Sequence, residues 1–544
     1  MATSILSIGQ SALAAAQVGI NTTGHNIANA ATPGYNRQVI VQGAAQAQNF
    51  GFGFLGQGVE VSTVKRVYNE FLGNQVQSAQ TTKSGLDSYY AQIRQIDNLL
   101  ADPTTGLSTA MQDFFNGVQD VASNPTSIPA RQTALSTGES LASRFHSLGG
   151  RLDEIERSLN GQIQSSVADI NAYGSQIAQL NDAIGKAQRA SGQPANDLLD
   201  QRDQLLMELN KQIKVTVVEQ GSDYNVFIGN GQPLVVGVST YTLANVASPT
   251  NPEKIEVAYR ASNGSLVSLA ESALTGGQLG GLLEFRTQSL EPAQNALGRV
   301  AIGLASTFNT LHQGGYGLDG STGNAFFTTA TPVVGEHGDN TGSAVIAAAI
   351  SSPGALTTSD YRLQYDGTNY TVTRLSDNFA FPAGALPQTV DGVALTLTAG
   401  TANAGDSFLI RPTINGASGF GVALTDPAKF AAASQAGAVG DNSNALLLGA
   451  LQTTNTLGNG TISYQGAYSQ LVSQVGNKSR ELEITSSAAG KLLTEASLSL
   501  QNESGVNLDE EAANLLRYQQ AYQAAGKVMQ IASELFDVLL SIGR

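Results

Sequence analysis

Apolar residues recur every seven positions near the amino-terminal end of the chain. The repeat consists of Leu6, Leu13, Ile20 and Ile27, and a small residue follows each member three positions later, at Gly9, Ala16, Thr23 and Ala30. This spacing predicts a helix that packs closely against a second helix. Pro33 and Gly34 predict its end. Because this helix carries no Lys, Arg, Asp or Glu, we expect other copies or partners to cover its outer face.

The carboxy-terminal segment has a matching repeat. Its members are Leu508, Leu515, Tyr522, Met529 and Phe536, and they are flanked by Tyr518, Ala525, Ala532 and Leu539. The pattern predicts one helix over residues 508–540, about 50 Å long. Residues 1–83 carry four basic and two acidic side chains, whereas residues 500–544 carry three basic and six acidic ones. Opposite net charges and shared heptads predict that the two ends pair.

The middle of the chain combines long helices with two strand-rich stretches. Apolar residues spaced by about 3.6 positions over residues 141–184 predict a nearly straight helix about 65 Å long. Further helices are predicted at 86–100, 107–122, 196–213, 279–312, 443–457 and 465–502. Alternating apolar residues that lead into the turns Gly229-Asn230-Gly231 and Asp366-Gly367 predict β-hairpins within 214–275 and 361–411.

These patterns predict a mainly α, elongated, multi-domain protein. Its parts are a terminal helical coiled-coil-like domain, a helical-bundle rod domain and two inserted β-rich domains. The predicted boundaries are 1–65 plus 500–544 for the terminal domain; 66–213, 276–325 and 425–499 for the rod domain; and 214–275 and 326–424 for the inserts.

Composition excludes several classes of function. The 544 residues include no Cys, which excludes disulfides, thiolate nucleophiles and Cys-based metal sites. A net charge of −15 argues against a nucleic-acid partner. No apolar run is long enough to cross a membrane. The first 36 residues lack Lys and Arg, so we expect no cleaved secretory signal.

No motif in the sequence carries recognisable chemistry. Two G-x-G-x-x-G runs, at Gly51/Gly53/Gly56 and Gly315/Gly317/Gly320, are interpreted as loops because neither joins a strand to a helix. The group at residues 336–339, Glu-His-Gly-Asp, is interpreted as solvated surface. We therefore assign no catalytic, metal-binding or cofactor-binding residue and expect no cofactor.

Residues 19–38 read GINTTGHNIANAATPGYNRQ. The run from Asn26 to Tyr35 resembles the amino-terminal motif of the bacterial flagellar axial proteins, a family of rod, hook and junction subunits. Gly24-His25 before it and Asn36-Arg37-Gln38 after it are similar to the hook–filament junction members. Blocks at 56–72, 195–210, 276–301 and 505–530 resemble the same members in the expected order.

The resemblance implies a non-enzymatic subunit that leaves the cell unfolded through the flagellar type III apparatus and lies in the extracellular flagellum. It implies a ring or helical layer of copies at the hook–filament junction, where the paired terminal helices form an inner tube and order on assembly. Implied partners are the hook protein, the second junction protein, flagellin indirectly, and a cytoplasmic chaperone at the carboxy-terminal helix.

Two sets of site residues follow. The assembly interface is assigned to the heptad residues Leu6, Leu13, Ile20, Ile27, Leu508, Leu515, Tyr522, Met529 and Phe536. The family motif is assigned to Asn26, Ile27, Asn29, Pro33, Gly34 and Tyr35, either as a helix cap and turn or as an interface with the hook subunit. The alternative functions are a surface adhesin with a helical stalk and β-rich binding inserts, and a hydrolase carried in the inserts.

Overall fold

Ten helices form most of the part of the chain that the computed structural model describes, residues 2–49, 51–101, 106–261 and 263–542. They are α1 (Ala2–Asn29), α2 (Glu70–Leu100), α3 (Leu107–Ser123), α4 (Ile128–Ser191), α5 (Asn196–Gln212), α6 (Gly277–Phe285), α7 (Glu291–Gln313), α8 (Ser443–Ala450), α9 (Tyr464–Ser504) and α10 (Leu508–Ile542). A π-helical turn, Arg286–Leu290, joins α6 to α7.

Helix α4 sets the elongated shape of the molecule. It contains 64 residues, which corresponds to a length of about 96 Å. Ser127 caps its first turn by accepting a hydrogen bond from the Ala130 amide, and Gly192 ends it in the left-handed conformation with φ of 66°. The helix is longer than the predicted 141–184 because these caps, rather than the apolar spacing, determine its ends.

Other helix boundaries also differ from the predictions. Helix α2 begins well before the predicted residue 86, because Asn69 caps it and its first turns pack through Gly73, Val76 and Thr81 rather than through large apolar residues. The helix predicted at 443–457 ends at Ala450. Beyond it the chain forms turns, and Leu457 and Ile462 are paired in an isolated bridge.

The strands form small antiparallel sheets. They are β1 (Gln38–Ala44), β2 (Gln48–Asn49), β3 (Phe54–Leu55), β4 (Val59–Arg66), β5 (Val215–Gln220), β6 (Asp223–Ile228), β7 (Gln232–Val236), β8 (Ser239–Thr240), β9 (Leu243–Ala247), β10 (Ile255–Arg260), β11 (Leu266–Ser268), β12 (Phe327–Thr328), β13 (Val333–Glu336), β14 (Val345–Ile350), β15 (Tyr361–Tyr365), β16 (Tyr370–Arg374), β17 (Phe379–Ala380), β18 (Gln388–Val390), β19 (Val393–Ala399), β20 (Ser407–Arg411) and β21 (Gly421–Val422). Both predicted hairpins are present, as β6–β7 and β15–β16.

The terminal region is not wholly helical, contrary to the prediction for residues 1–65. β1 and β4 pair antiparallel from Gln38↔Arg66 to Ala44↔Val59, and both strands contact α1. The alternation of Val59 and Val61 is the sequence signal for β4. It escaped prediction because β1 and β4 are only partly buried, so the alternation of apolar and polar residues is weak.

Two hydrophobic cores hold the fold together. The larger runs along α2 to α7 and α9 and includes the inner faces of β6, β7, β9 and β10. The first insert therefore shares its core with the helical bundle. The second insert has a separate core built from β14 to β16 and β18 to β20, to which α7 contributes Ile302.

His312 is buried in the aromatic part of the larger core. Its ring lies against Phe308, Phe326 and Phe430. Nδ1 lies 2.6 Å from the Asn324 carbonyl oxygen, and Nε2 accepts a hydrogen bond from the Ala431 amide at 3.0 Å. These contacts require the neutral ring, and burial lowers the pKa of His312 to about 4.

We predict that His312 makes a destabilising contribution that grows as the pH decreases from about 6.5 to about 4. In that range the unfolded chain binds a proton at His312 and the folded chain does not, so acid favours unfolding, by about 3 kcal/mol over the window. The measurement is the thermal unfolding of the wild type and of His312→Gln across this range. The variant should lose this part of the pH dependence, and His146→Gln, at an exposed position of α4, should keep it. Equal slopes for all three proteins would contradict the assignment.

Candidate assembly interface

The two ends of the chain pack together as an antiparallel helix pair, as the heptads predicted. Gly9 of α1 lies beside Met529 of α10, and Gly19 lies beside Tyr518. Nearer the end of α1, the Asn26 side chain donates a hydrogen bond to Glu511 at 3.1 Å. The contacts therefore run from the start of one helix to the end of the other.

Small residues form the seam between these helices. Ala15, Ala16 and Thr23 of α1 are buried, as are Ala525 and Ala532 of α10. A Cβ atom placed on Gly19 would lie 2.6 Å from Cδ1 of Tyr518. The distance between two helix axes depends on the side chains at the contact, so these residues allow α1 and α10 to approach closely.

The predicted interface residues lie mainly outside this seam. Leu6, Ile27, Leu508, Tyr522 and Phe536 are exposed, and Leu13, Ile20, Leu515 and Met529 are half-buried. The flanking positions Tyr518, Ala525 and Ala532 contribute more to the helix pair than the large apolar repeat does, while the side chain of Leu539 lies outside the described residues. The heptads thus predicted the pairing but not which stripe mediates it.

An apolar outer face remains on the helix pair. Besides the exposed heptad residues, its exposed members on α10 are Leu516, Val528, Ile531, Leu535, Val538 and Leu540. Ile531 is 48% exposed and Leu516 is 60% exposed. We call this surface the outer face. Large apolar side chains left exposed in this number along one helix pair indicate a site of association.

Asn26 of the family motif joins three segments of the terminal region. Its Nδ2 donates to the Gln38 carbonyl at 2.9 Å and to Glu511, and its Oδ1 accepts from the Gln38 amide at 2.9 Å and from the Tyr35 hydroxyl at 2.7 Å. All four hydrogen-bonding positions of this buried amide are used. Asn26 therefore holds α1, β1 and α10 in one register.

The remaining motif residues build the turn after α1. Asn29 donates to the His25 carbonyl at 3.0 Å and accepts from the Thr32 hydroxyl at 3.1 Å. Gly34 has φ of 77°, and a Cβ there would lie 2.7 Å from Gln204 Oε1. Pro33 and Ile27 are exposed. The cap-and-turn interpretation accounts for Asn29 and Gly34, whereas Ile27 and Pro33 are available to a partner.

Two carboxylates of α5 bind the segment that follows the motif, a contact that the sequence analysis missed. Asp197 accepts from Gln38 Nε2 at 2.7 Å, and Asp200 accepts from the Asn36 amide at 3.0 Å and from Asn36 Nδ2 at 2.7 Å. Asp203 lies one turn further along. The spacing of three residues, which places all three acids on one face of α5, was the available signal.

Arg66 of β4 forms ion pairs with two of the α5 carboxylates. Its Nη1 lies 2.9 Å from Asp200 and 2.5 Å from Asp203, and all three side chains are largely buried. Burial alone would lower the pKa of Arg66, but the two carboxylates raise it, so the guanidinium stays charged. Burial, reinforced by Asp197 and Asp200, raises the pKa of the Tyr35 hydroxyl, which therefore remains a donor to Asn26.

The loops considered for other chemistry have ordinary structural roles. Gly51 and Gly53 lie in the loop between β2 and β3, and the Gly317 amide bonds to Ser321 in a turn after α7. Within the described residues, no cluster of three or more His, Asp or Glu is arranged to hold a metal ion. Nor does any helix within those ranges have the length and apolar character needed to cross a bilayer.

Four family models match the chain. The helical domain of flagellar hook-associated protein FlgK matches residues 93–327, and the D2-like domain of flagellar hook-associated protein 1 matches 336–412. The basal body rod protein model matches residues 6–36, and the carboxy-terminal model of the rod proteins FlgEFG matches 500–542.

The chain is also similar over nearly its whole length to known proteins of the same description. Flagellar hook-associated protein 1 of Escherichia coli strain K12 is 38% identical over 545 residues, covering 99% of this chain and 100% of the relative. The Salmonella typhimurium protein is 39% identical over 554 residues, with the same coverage. The chain belongs to the flagellar hook-associated protein 1 family. The flagellar hook junction protein FlgK of Burkholderia pseudomallei has the same fold, with a TM-score of 0.74 and 30% identity over 79% of this chain and 99% of that one.

We predict that Asp200→Asn loosens β1 and β4 from α5 in this member of the hook-associated protein 1 family. The substitution removes one of the two charges that Arg66 faces and places donor hydrogens against donors, with an expected cost of about 2 kcal/mol. Trypsin cleavage after Lys65 and Arg66 in the purified chain should become roughly 30-fold faster, since cleavage follows local opening. Asp197→Asn, at a largely exposed side chain, is the control and should change the rate little. Equal rates for the two variants would show that Asp200 does not hold these strands.

Proposed function

We propose that this chain is a structural subunit of the hook–filament junction and assembles through its terminal helix pair. The observation that carries the proposal is the outer face, which leaves large apolar side chains in water along both terminal helices. Burial of a fully exposed side chain of this kind contributes about 1.5–3 kcal/mol, so each of these partly covered side chains contributes roughly 1 kcal/mol when a neighbouring subunit covers it. Membership in a family of structural flagellar proteins supports this proposal over the adhesin and the hydrolase.

We propose in addition the following roles for the domains, the following export route and the following partners. The terminal pair with β1 to β4 forms the inner tube, and the helical bundle forms the rod domain that carries the two β-rich inserts. The chain is exported without a cleaved signal and lies outside the cell. Its partners are further copies, the hook protein and the second junction protein, with flagellin contacted indirectly. Before export, a cytoplasmic chaperone covers the exposed apolar side chains of α10.

The heptad residues of α1 and α10 have two different places in the proposed interface. Leu6, Ile27, Leu508, Tyr522 and Phe536 belong to the outer face that neighbours cover. Leu13, Ile20, Leu515 and Met529 are half-buried and lie at its margin. A charge on this surface would therefore oppose assembly without disturbing the seam of small residues.

We predict that Ile531→Asp abolishes filament attachment in a strain that lacks the native protein. A carboxylate cannot be buried unpaired between subunits, so the array should not form. The measurements are swimming motility and the amount of flagellin released into the medium, with secretion of the variant checked in the same samples.

The matched control is Leu266→Asp in β11 of the first insert, where the side chain is exposed to a similar extent. This variant should swim. If the Ile531→Asp strain swims normally with attached filaments, the outer face is not the assembly surface. If both variants are secreted and both fail to attach filaments, the defect is not specific to the outer face.

A further inference from the structure

The connection between β1 and β4 ends in an aromatic tip, which we define as Phe52, Phe54 and Leu55. β2 and β3 fold this connection into a short hairpin. The side chain of Phe52 is 84% exposed and that of Phe54 is 74% exposed. Residues 39–59 contain no ionisable side chain. An uncharged hairpin that presents two aromatic rings to water is suited to contact another macromolecule.

A cavity of about 430 Å³ opens where the motif turn meets α2, α5 and α9. We call it the motif cleft, and its apolar wall includes Ala30, Pro33, Val76, Met207, Leu500 and Val506. The acid in the wall, Asp203, forms an ion pair with Arg66, which it shares with Asp200.

The motif cleft also contains a polar group without a partner. Ser504 lines the cleft and is only 2% exposed, yet its hydroxyl makes no hydrogen bond within the described part of the chain. Buried hydroxyls are normally paired. The cleft therefore has an apolar wall and, buried beneath its surface, one hydroxyl without a partner.

The aromatic tip cannot reach the motif cleft of its own chain. The Val59 amide at the base of the hairpin donates to Ser11 Oγ at 3.3 Å, so the base lies near the start of α1. The cleft begins at Ala30, about 28 Å further along the helix axis. Phe54 is separated from Val59 by at most about 17 Å of extended chain. The tip and the cleft thus lie at opposite ends of one helix.

We propose that the aromatic tip of one copy docks in the motif cleft of a second copy. This inference rests on the proposed function, because it requires an array of copies. A contact between opposite ends of the same element is head-to-tail and propagates through an array instead of closing a dimer. The two surfaces are compatible in charge, since an uncharged hairpin enters a cleft whose one acid, Asp203, already forms an ion pair with Arg66. A backbone group of the glycine-rich tip would give Ser504 its partner.

The contact between the aromatic tip and the motif cleft is too small to be stable outside an assembled array. Two aromatic side chains bury about 150–250 Å² each, which leaves the interface well below the roughly 1,200 Å² of a stable complex. The tip therefore does not dimerise the protein in dilute solution. It adds to the outer face once that face holds neighbouring copies at high effective concentration. Assembled flagella are thus the material for the test.

Cysteine cross-linking tests the contact, because the chain has no Cys of its own. The double variant Leu55→Cys/Gln501→Cys keeps both aromatic rings and places one thiol on the tip and one at an exposed position of the cleft wall. In isolated flagella, a short bis-maleimide should join copies into a ladder of multimers. We expect several-fold less cross-linked multimer from the control Leu55→Cys/Leu266→Cys and from the two single variants.

Each outcome decides the proposal. A ladder specific to the first pair supports it. Absence of the ladder in motile cells with attached filaments overturns it and leaves the proposed function standing. Cross-linking of Leu55→Cys to a different flagellar protein overturns the assignment of a second copy as the partner.

A second variant pair covers the case in which the thiols disturb assembly. Phe52→Ser/Phe54→Ser changes only exposed positions and should release filaments under shear at least ten-fold more readily than Gln46→Ser/Gln48→Ser in the same hairpin. Equal shear resistance overturns the proposal. Failure of the proposed function itself is recognised separately, by normal motility of Ile531→Asp.

Discussion

The close approach of α1 and α10 is the constraint on which the terminal region depends. Two helices can come this near only if glycine and alanine occupy the contact, and Gly9, Gly19, Ala525 and Ala532 meet that condition. Because small residues fill the seam, the leucines and isoleucines of the same helices must lie beside it or on the opposite side. The exposed apolar face is thus a geometric consequence of how the pair is made.

Polar contacts fix the register of this pair together with the packing of Tyr518 against Gly19. Asn26 satisfies all its hydrogen-bonding positions only in one alignment with Gln38 and Glu511. A single buried polar group is a recognised means of fixing register between packed helices. The carboxylates of α5 extend the same alignment to the helical bundle through Asn36 and Arg66. A displacement of α1 would therefore be transmitted to α5 through directed hydrogen bonds.

The sequence predicted the elements better than their contacts. Periodicity indicated the long helices, and strand alternation with turn residues indicated both hairpins, since these are local properties of the chain. The pairing of the two ends was also predictable, because heptads record the presence of a neighbouring helix. The identity of the buried stripe was not, since large apolar residues suit both an intramolecular seam and an intersubunit one. Glycine spacing, as at Gly9 and Gly19, was the better guide to the seam.

Long-range polar contacts were beyond prediction for a different reason. Asn36 and Asp200 are separated by 164 positions, and no periodicity relates them. The three acids of α5 were visible as a stripe on one helix face, but a charged stripe is usually a solvated surface. Only the fold shows that Arg66 and Asn36 are brought to it. The motif supplied the resemblance to the family, and the structure supplied the reason why Asn26 and Gly34 are needed in that turn.

The distribution of apolar surface along the outer face has a consequence for the order of assembly. Each side chain there is already partly covered, so its complete burial yields roughly 1 kcal/mol, less than for a fully exposed residue. Association costs about 4–15 kcal/mol in lost translational and rotational freedom, so a contact that covers a few such residues cannot hold two copies together. Several neighbours around one subunit cover the whole face at once. The subunit then loses its translational and rotational freedom only once for all of these contacts. A surface that is weakly apolar over its full length therefore favours a monomer in dilute solution and a cooperative array at the growing end of a larger structure.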